Sequence, residues 1–171
     1  MITTPRLHLS IITMQDESAV FNTLNYQNTA KIVSMFTWPM TRAQSTWWCE
    51  TAEAGQKSKN EYLFIAHKDT AAAGCIGIHV DDDNSTRAEV GYWVDEKFQG
   101  QGIASEMLGG VLEFGFETLK LKEVYATTAK DNSASSHLLT KVGFKEDGTI
   151  NVSLPDGATR PSLLFRRYKD A

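Results

Sequence analysis

Between Gln99 and Ala104 the chain reads Gln-Gly-Gln-Gly-Ile-Ala, two glycines set just ahead of a run with apolar residues at Ile103, Met107, Leu108, Val111, Leu112 and Phe116. That spacing predicts a helix opening at a glycine turn. The first N–H groups of a helix lack intrahelical partners and lie at the positive end of its dipole, so an anion is favoured there. A phosphate suits the place. Gly100 and Gly102 have no Cβ, which frees φ and lets a bulky pyrophosphate approach the amides of Gly100, Gln101, Gly102, Ile103 and Ala104. An ordinary glycine-rich connection has the same composition, and a lone Gly-x-Gly is a weak motif.

Two common phosphate loops are excluded. Ile103 and Ala104 stand where a Walker loop needs Lys and Ser/Thr, and Ser105 stands where the dinucleotide fingerprint needs its third glycine. Ahead of the turn, Ala88 to Val94 is rich in β-branched and aromatic residues and predicts a strand.

The pattern Gln-x-x-Gly-x-Ala at Gln99, Gly102 and Ala104 resembles the acyl-CoA signature of the GNAT N-acetyltransferases. The preceding AEVGYWVDEKFQGQGIA, together with Asn132-Ser133-Ala134-Ser135 and Gly143-Phe144, resembles the branch that contains the Rim-type ribosomal-protein acetyltransferases. The likeness is most specific from Glu89 to Phe144 and extends from Thr4-Pro5-Arg6-Leu7 to Leu163–Tyr168. It implies acetyl-CoA as acyl donor, with the pantetheine arm paired like an added strand along Tyr92, Trp93 and Val94, and the pyrophosphate on the turn from Gln99 to Ala104. No metal is implied.

Acetyl transfer to an amine needs a held thioester, a neutral amine and a proton donor for the departing thiolate. Glu89 matches an acidic position that serves as base in some GNAT enzymes, with His79, Asp81 and Glu61 as alternatives on neighbouring strands or turns; a purely structural Glu89 fits the sequence as well. Ser135 matches a serine proposed as the acid in Rim-type relatives, and it could equally be a polar residue of a helix's first turn. A tyrosine donor common in the family is missing from LLTKVGF, where Thr140 and Lys141 stand. Asn132 caps that helix and, by the resemblance, also contacts the cofactor. A peptide α-amine is about 14% neutral at pH 7 and a lysine about 0.04%, so an α-amine needs less help from a base.

Acceptor recognition is expected in the Asn25–Met40 region, where Trp38 could line a pocket, and in the Pro155–Pro161 loop, where Arg160 would favour an acidic neighbour of the amine. The acceptor is then a protein N-terminus, as in the Rim-type branch, or a small-molecule amine. A non-catalytic acyl-CoA-binding module is the alternative. An unrelated phosphate-binding domain would prefer nucleotides.

The elements that must position these groups follow in order. Leu7, Leu9 and Ile11 alternate with polar residues and predict a strand over Arg6–Ile12. Thr13 with Asp16, and Thr41 with Gln44, predict capped helices, the first to about Tyr26 and the second through Trp47, Trp48 and Cys49 to Gly55. Asn28–Val33 reads as a short helix and Ser34–Met40 as a loop. Tyr62–His67 and Gly74–Val80 predict a hairpin with a longish loop. The turn Asp81-Asp82-Asp83-Asn84-Ser85 lacks the alternation of a calcium loop and reads as solvated. Glu123–Thr128 is a strand, Ser133–Val142 a helix ended by Gly143, and Phe144–Ile150, Asn151–Leu154 and Leu163–Tyr168 are the last strands.

The sum is one α+β domain over residues 1–171, with a mixed, mostly antiparallel sheet of about seven strands flanked by helices on both faces. The resemblance adds that the strands at Ala88 and Glu123 splay to admit coenzyme A. Net charge near −4 without a clustered basic face argues against a nucleic-acid partner. No apolar run reaches membrane-span length and the N-terminus lacks a signal pattern, so no membrane and a cytoplasmic location are expected. Cys49 and Cys75 fit no zinc or redox spacing and read as small core hydrophobes. By analogy alone, the sheet could pair two copies into a homodimer.

Overall fold

The computed structural model describes residues 1–26, 36 and 38–169. Its strands are β1 (Ile2–Thr3), β2 (His8–Ile11), β3 (Glu61–Lys68), β4 (Ala71–Asp81), β5 (Asn84–Val94), β6 (Glu123–Ala129), β7 (Lys145–Ser153) and β8 (Thr159–Tyr168). The helices are α1 (Glu17–Leu24), α2 (Arg42–Ser58), α3 (Ile103–Glu113) and α4 (Ser133–Lys141). One eight-stranded sheet runs β1-β2-β3-β4-β5-β6-β8-β7, antiparallel throughout except where β5 meets β6. This is the mixed α+β sheet that the sequence implies, with β1 as the strand its periodicity does not reveal. Two residues are too few to show a period.

Alternation along the strands sorts the core into two layers. Phe64, Ala66, Ile76, Ile78, Ala88 and Val90 pack with Ile103, Met107, Leu108, Val111 and Leu112 of α3. Leu63, Ile65, Cys75 and Trp93 point the other way, onto Val20, Leu24, Trp48 and Cys49 of α1 and α2. Fully burying each large apolar side chain contributes roughly 1.5–3 kcal/mol. Both cysteines are free thiols with no exposure. Burial pushes the Cys49 thiol up to about 11 and that of Cys75 higher still. No helix among the described residues is long and apolar enough to cross a membrane.

Both capping boxes form, Thr13 with Asp16 on a single 3-10 turn that leads into α1, and Thr41 with Gln44 at the start of α2. Several boundaries differ from the sequence reading. The helix α2 does not stop at Gly55 but continues to Ser58, where Lys59 takes the left-handed conformation. Gly55 is glycine because β3 crosses it: a Cβ there would lie 2.0 Å from Cβ of Glu61. Gly55→Ala is therefore expected to cost about 1–3 kcal/mol, read as a lowered urea midpoint. Trp48 is buried as expected for a core residue, whereas Trp47, one step around the helix, is 48% exposed.

The β3–β4 connection is only Asp69-Thr70, with Asp69 at φ 55°, and a bulge at Ala66/His67 absorbs the twist. The residues from Lys145 to Ser153 form one strand, not two. The expected helix at Asn28–Val33 and most of the Ser34–Met40 loop fall outside the described residues.

Candidate active site

Strands β5 and β6 pair in parallel over three residues only, Arg87–Glu89 against Glu123–Tyr125. Beyond Glu89 they part, β5 staying with β4 and β6 with β8. The gap is a cleft of about 450 Å³ whose walls include Tyr92, Val94, Thr127, Asn132 and Ser135, and whose end is the turn at Gly100 and Gly102. Among the described residues, backbone groups of Val90–Val94 that point away from β4 have no strand partner on this side. The Val94 carbonyl accepts from Gln99 Nε2 at 3.1 Å.

After β5, Asp95 accepts from Lys97 N and starts a 3-10 turn, Glu96–Phe98. The chain then enters α3 through Gly100 at φ 72° and Gly102 at φ 76°. Such angles strain any residue with a Cβ. Gly102 is the N-cap of α3, and no side chain among the described residues caps that end. Gln101 is turned elsewhere: its Nε2 donates to the Lys97 carbonyl at 2.9 Å, so it braces the turn with its side chain while its amide belongs to the turn itself.

A cation at this turn was not foreseen. Arg6 donates from Nη1 to the Gln101 carbonyl at 3.0 Å and pairs through Nε with Glu106 at 2.6 Å. Thr4 Oγ1 also donates to Glu106, at 2.6 Å, so the stretch Thr4–Leu7 is pinned to the first turn of α3. These contacts hold the Glu106 carboxyl below its ordinary value against the opposing effect of burial.

Glu89 stands at the fork, where β5 and β6 last touch. It belongs to the sheet face opposite Ala88 and Val90, and Thr127 Oγ1 donates to its Oε1 at 3.1 Å. Burial raises its carboxyl above the ordinary value, opposed by the Thr127 hydrogen bond.

Across the cleft, Asn132 Oδ1 accepts from Ser135 N at 3.2 Å, the cap that its position predicts. The Ser135 hydroxyl lies 2.9 Å from the Tyr92 hydroxyl. Burial raises the Tyr92 phenol, and the Ser135 hydrogen bond opposes that shift. This two-hydroxyl pair inside the cleft was not legible in the sequence, which places Tyr92 by its backbone alone. Trp93 is the reverse case: it lines the cleft through its backbone while its indole crosses to the other face and donates to Thr23 Oγ1 at 3.1 Å.

The two expected acceptor residues do not reach the cleft wall. Trp38 is 42% exposed and lies next to residues outside the described set, and Arg160 sits in β8 opposite Val152 with its Nε buried and without a partner among the described residues. The Asp81-Asp82-Asp83 run is partly spoken for, since Asp81 is held by Arg87 and accepts from the Tyr125 hydroxyl at 3.1 Å.

Comparison with known proteins agrees with this geometry. Residues 6–145 match the family described as Acetyltransferase (GNAT) domain. An uncharacterized N-acetyltransferase of Bacillus subtilis, YoaA, is 29% identical over 151 residues, covering 88% of this chain and 85% of that protein. The ribosomal-protein-serine acetyltransferase of Escherichia coli is 28% identical over 88 residues, which are 52% of this chain and 49% of that protein. Among solved structures, Mycobacterium smegmatis RimJ in complex with CoA-disulfide superposes with a TM-score of 0.83 at 26% identity, over 95% of this chain and 81% of that one.

Proposed function

Because the chain belongs to the GNAT acetyltransferase family, we propose that it moves the acetyl group of acetyl-CoA to a primary amine by direct attack in a ternary complex. The preferred acceptor is a protein α-amine, with a small-molecule amine as second choice. The single observation carrying this reading is the parting of β5 and β6 after Glu89, which opens a cleft running to an uncapped helix start.

The amides of Gly100–Ala104 and the Arg6 guanidinium would hold the pyrophosphate, and the free edge of Val90–Val94 would pair with the pantetheine amides. This lays the thioester between the fork and the Tyr92–Ser135 pair. As the amine nitrogen bonds to the carbonyl carbon, Glu89 accepts a proton from it. The C–S bond then breaks, and Ser135 Oγ, hydrogen-bonded to Tyr92, donates a proton to the thiolate. Burial suits Glu89 to this, because a raised carboxyl is a better proton acceptor once ionised.

The test is release of free thiol from acetyl-CoA in step with acetylation across a panel of amines. Ser135→Ala is expected to bind coenzyme A as the unmodified chain does and to lose about 10²-fold in kcat. Binding of coenzyme A with no thiol release toward any amine would leave the chain as a non-catalytic acyl-CoA-binding module.

A further inference from the structure

On the sheet face that carries α1 and α2, side chains of three neighbouring strands stand in register. Glu61 of β3 is opposite His79 of β4, and His79 is opposite Glu89 of β5, so a carboxylate, an imidazole and a carboxylate form a row across the sheet. The next row along is Leu63, Gly77 and Gly91. Gly91 leaves the sheet bare there: a Cβ on it would meet no described atom within 4 Å. Gly77 is covered, since a Cβ on it would lie 2.5 Å from Leu63 Cδ2 and 3.1 Å from His79 Nε2, so the imidazole stands with Leu63 at the edge of the bare floor.

The far side of the floor is aromatic. In the row after the glycines stands Trp93, and Trp48 of α2 lies 5.7 Å from its ring and 6.2 Å from the ring of His79. Trp48 is 2% exposed and its indole N–H has no partner among the described residues. A buried donor left unpaired in a folded chain is costly unless something else accepts from it. Gly91 also belongs to the wall of the cofactor cleft, so the floor and the cleft meet at β5.

We propose that Gly91 is the floor of the acceptor subsite and that the His79–Glu61 pair beside it removes the first proton from the arriving ammonium. This rests on the acetyl-transfer reading above. Glu61 accepts a hydrogen bond from His79 Nδ1. In the neutral ring a proton on Nδ1 leaves the lone pair on Nε2, the nitrogen at the edge of the floor. A primary ammonium has three protons. One passes to His79 Nε2 and on to solvent, one passes to Glu89 as the C–N bond forms and from there to solvent, and one stays on the product amide, while the thiolate is protonated from Ser135, which regains its proton from solvent.

The charged groups facing His79 are Glu61 from β3, Glu89 from β5 and Asp81 on its own strand, the last paired with Arg87; α2 contributes the Trp48 ring. The carboxylates on both flanks favour a cationic acceptor.

The experiment compares an α-amine, ordinarily near 7.8, with an alkylamine near 10.4, in the unmodified chain and in His79→Gln, Glu61→Gln and Gly91→Val. At pH 7, His79→Gln is expected to lose about 10²-fold in kcat/KM with the alkylamine and less than about fivefold with the α-amine. Its alkylamine rate should climb with pH up to the amine's own pKa, whereas that of the unmodified chain levels off sooner. Glu61→Gln should move the same way by a smaller factor. Gly91→Val, whose Cβ would meet no described atom within 4 Å, should raise the amine KM about tenfold, with the Kd for coenzyme A measured alongside to separate loss of the acceptor from loss of the cofactor. Equal losses with both amines and no recovery in alkali, or an unaffected His79→Gln, overturn the relay while transfer itself stands. An unmodified chain inert toward every amine overturns the transfer reading and the relay together.

Discussion

Gly102→Val is expected to raise the Kd for coenzyme A by about 30-fold or more while leaving the chain folded. Gly102 sits at φ 76° as the N-cap of α3. A β-branched residue held there stores on the order of 1–3 kcal/mol of strain, and about 2 kcal/mol is about 30-fold in affinity. Relief by rotating φ to a negative value would swing the turn's amides off the cleft, so either response costs binding. Steric overlap with the protein is a minor part, since the nearest atom to a new Cβ is Arg6 Nη2 at 3.4 Å. Gly109→Ala is the control: it lies inside α3 with open space at its Cβ, and it should stabilise the helix by about 0.5–1 kcal/mol with unchanged affinity. Titration calorimetry on the two variants separates the turn from general helix effects. Wild-type affinity in a folded Gly102→Val would remove the turn from the binding site.

Features set by local chain chemistry were legible in advance. The Gly100/Gly102 turn, the Thr41–Gln44 box and the Asn132 cap each lie within a few residues and depend on φ or on one side chain reaching one amide. What was hidden depends on register. Glu61, His79 and Glu89 become a row only because a two-residue turn and a bulge at Ala66/His67 fix how β3 lies on β4. Tyr92 and Ser135 are 43 residues apart, and Arg6 and Glu106 are 100 apart. No sequence period encodes such pairs. Gly55 shows the opposite error: its identity matches a helix stop, yet the cause is the close passage of Glu61. Adjacent Trp47 and Trp48 show another, because two aromatics in a row must point about 100° apart on a helix and composition does not say which one goes inward.

Glu89→Gln is expected to lower kcat by about 10² to 10³ and, at neutral pH, to make the protein more stable than the unmodified chain. The activity loss follows from removing the proton acceptor at the fork, and a residual rate is expected because a neutral α-amine can still attack. The stability gain follows from linkage. Burial raises the Glu89 carboxyl in the folded state, so folding favours its protonated form. The stabilisation from that preference is complete below the unfolded value, near 4.5, and is lost as pH rises through the higher folded value. Above that folded value the unmodified chain therefore holds an ionised, partly desolvated carboxylate that accepts one hydrogen bond, from Thr127. Glutamine keeps the shape and a carbonyl for that bond without the charge. Urea midpoints of the two proteins should converge toward pH 4 and separate above it, with the glutamine variant higher. The slope distinguishes Glu89 from the His79–Glu61 pair kinetically as well: loss of Glu89 should slow all amines alike, whereas loss of His79 should be graded by amine basicity. A Glu89→Gln protein as active as the unmodified chain would hand the base role to the neighbouring row. One no more stable at pH 7 than at pH 4, relative to the unmodified chain, would mean that the carboxylate at the fork is fully solvated.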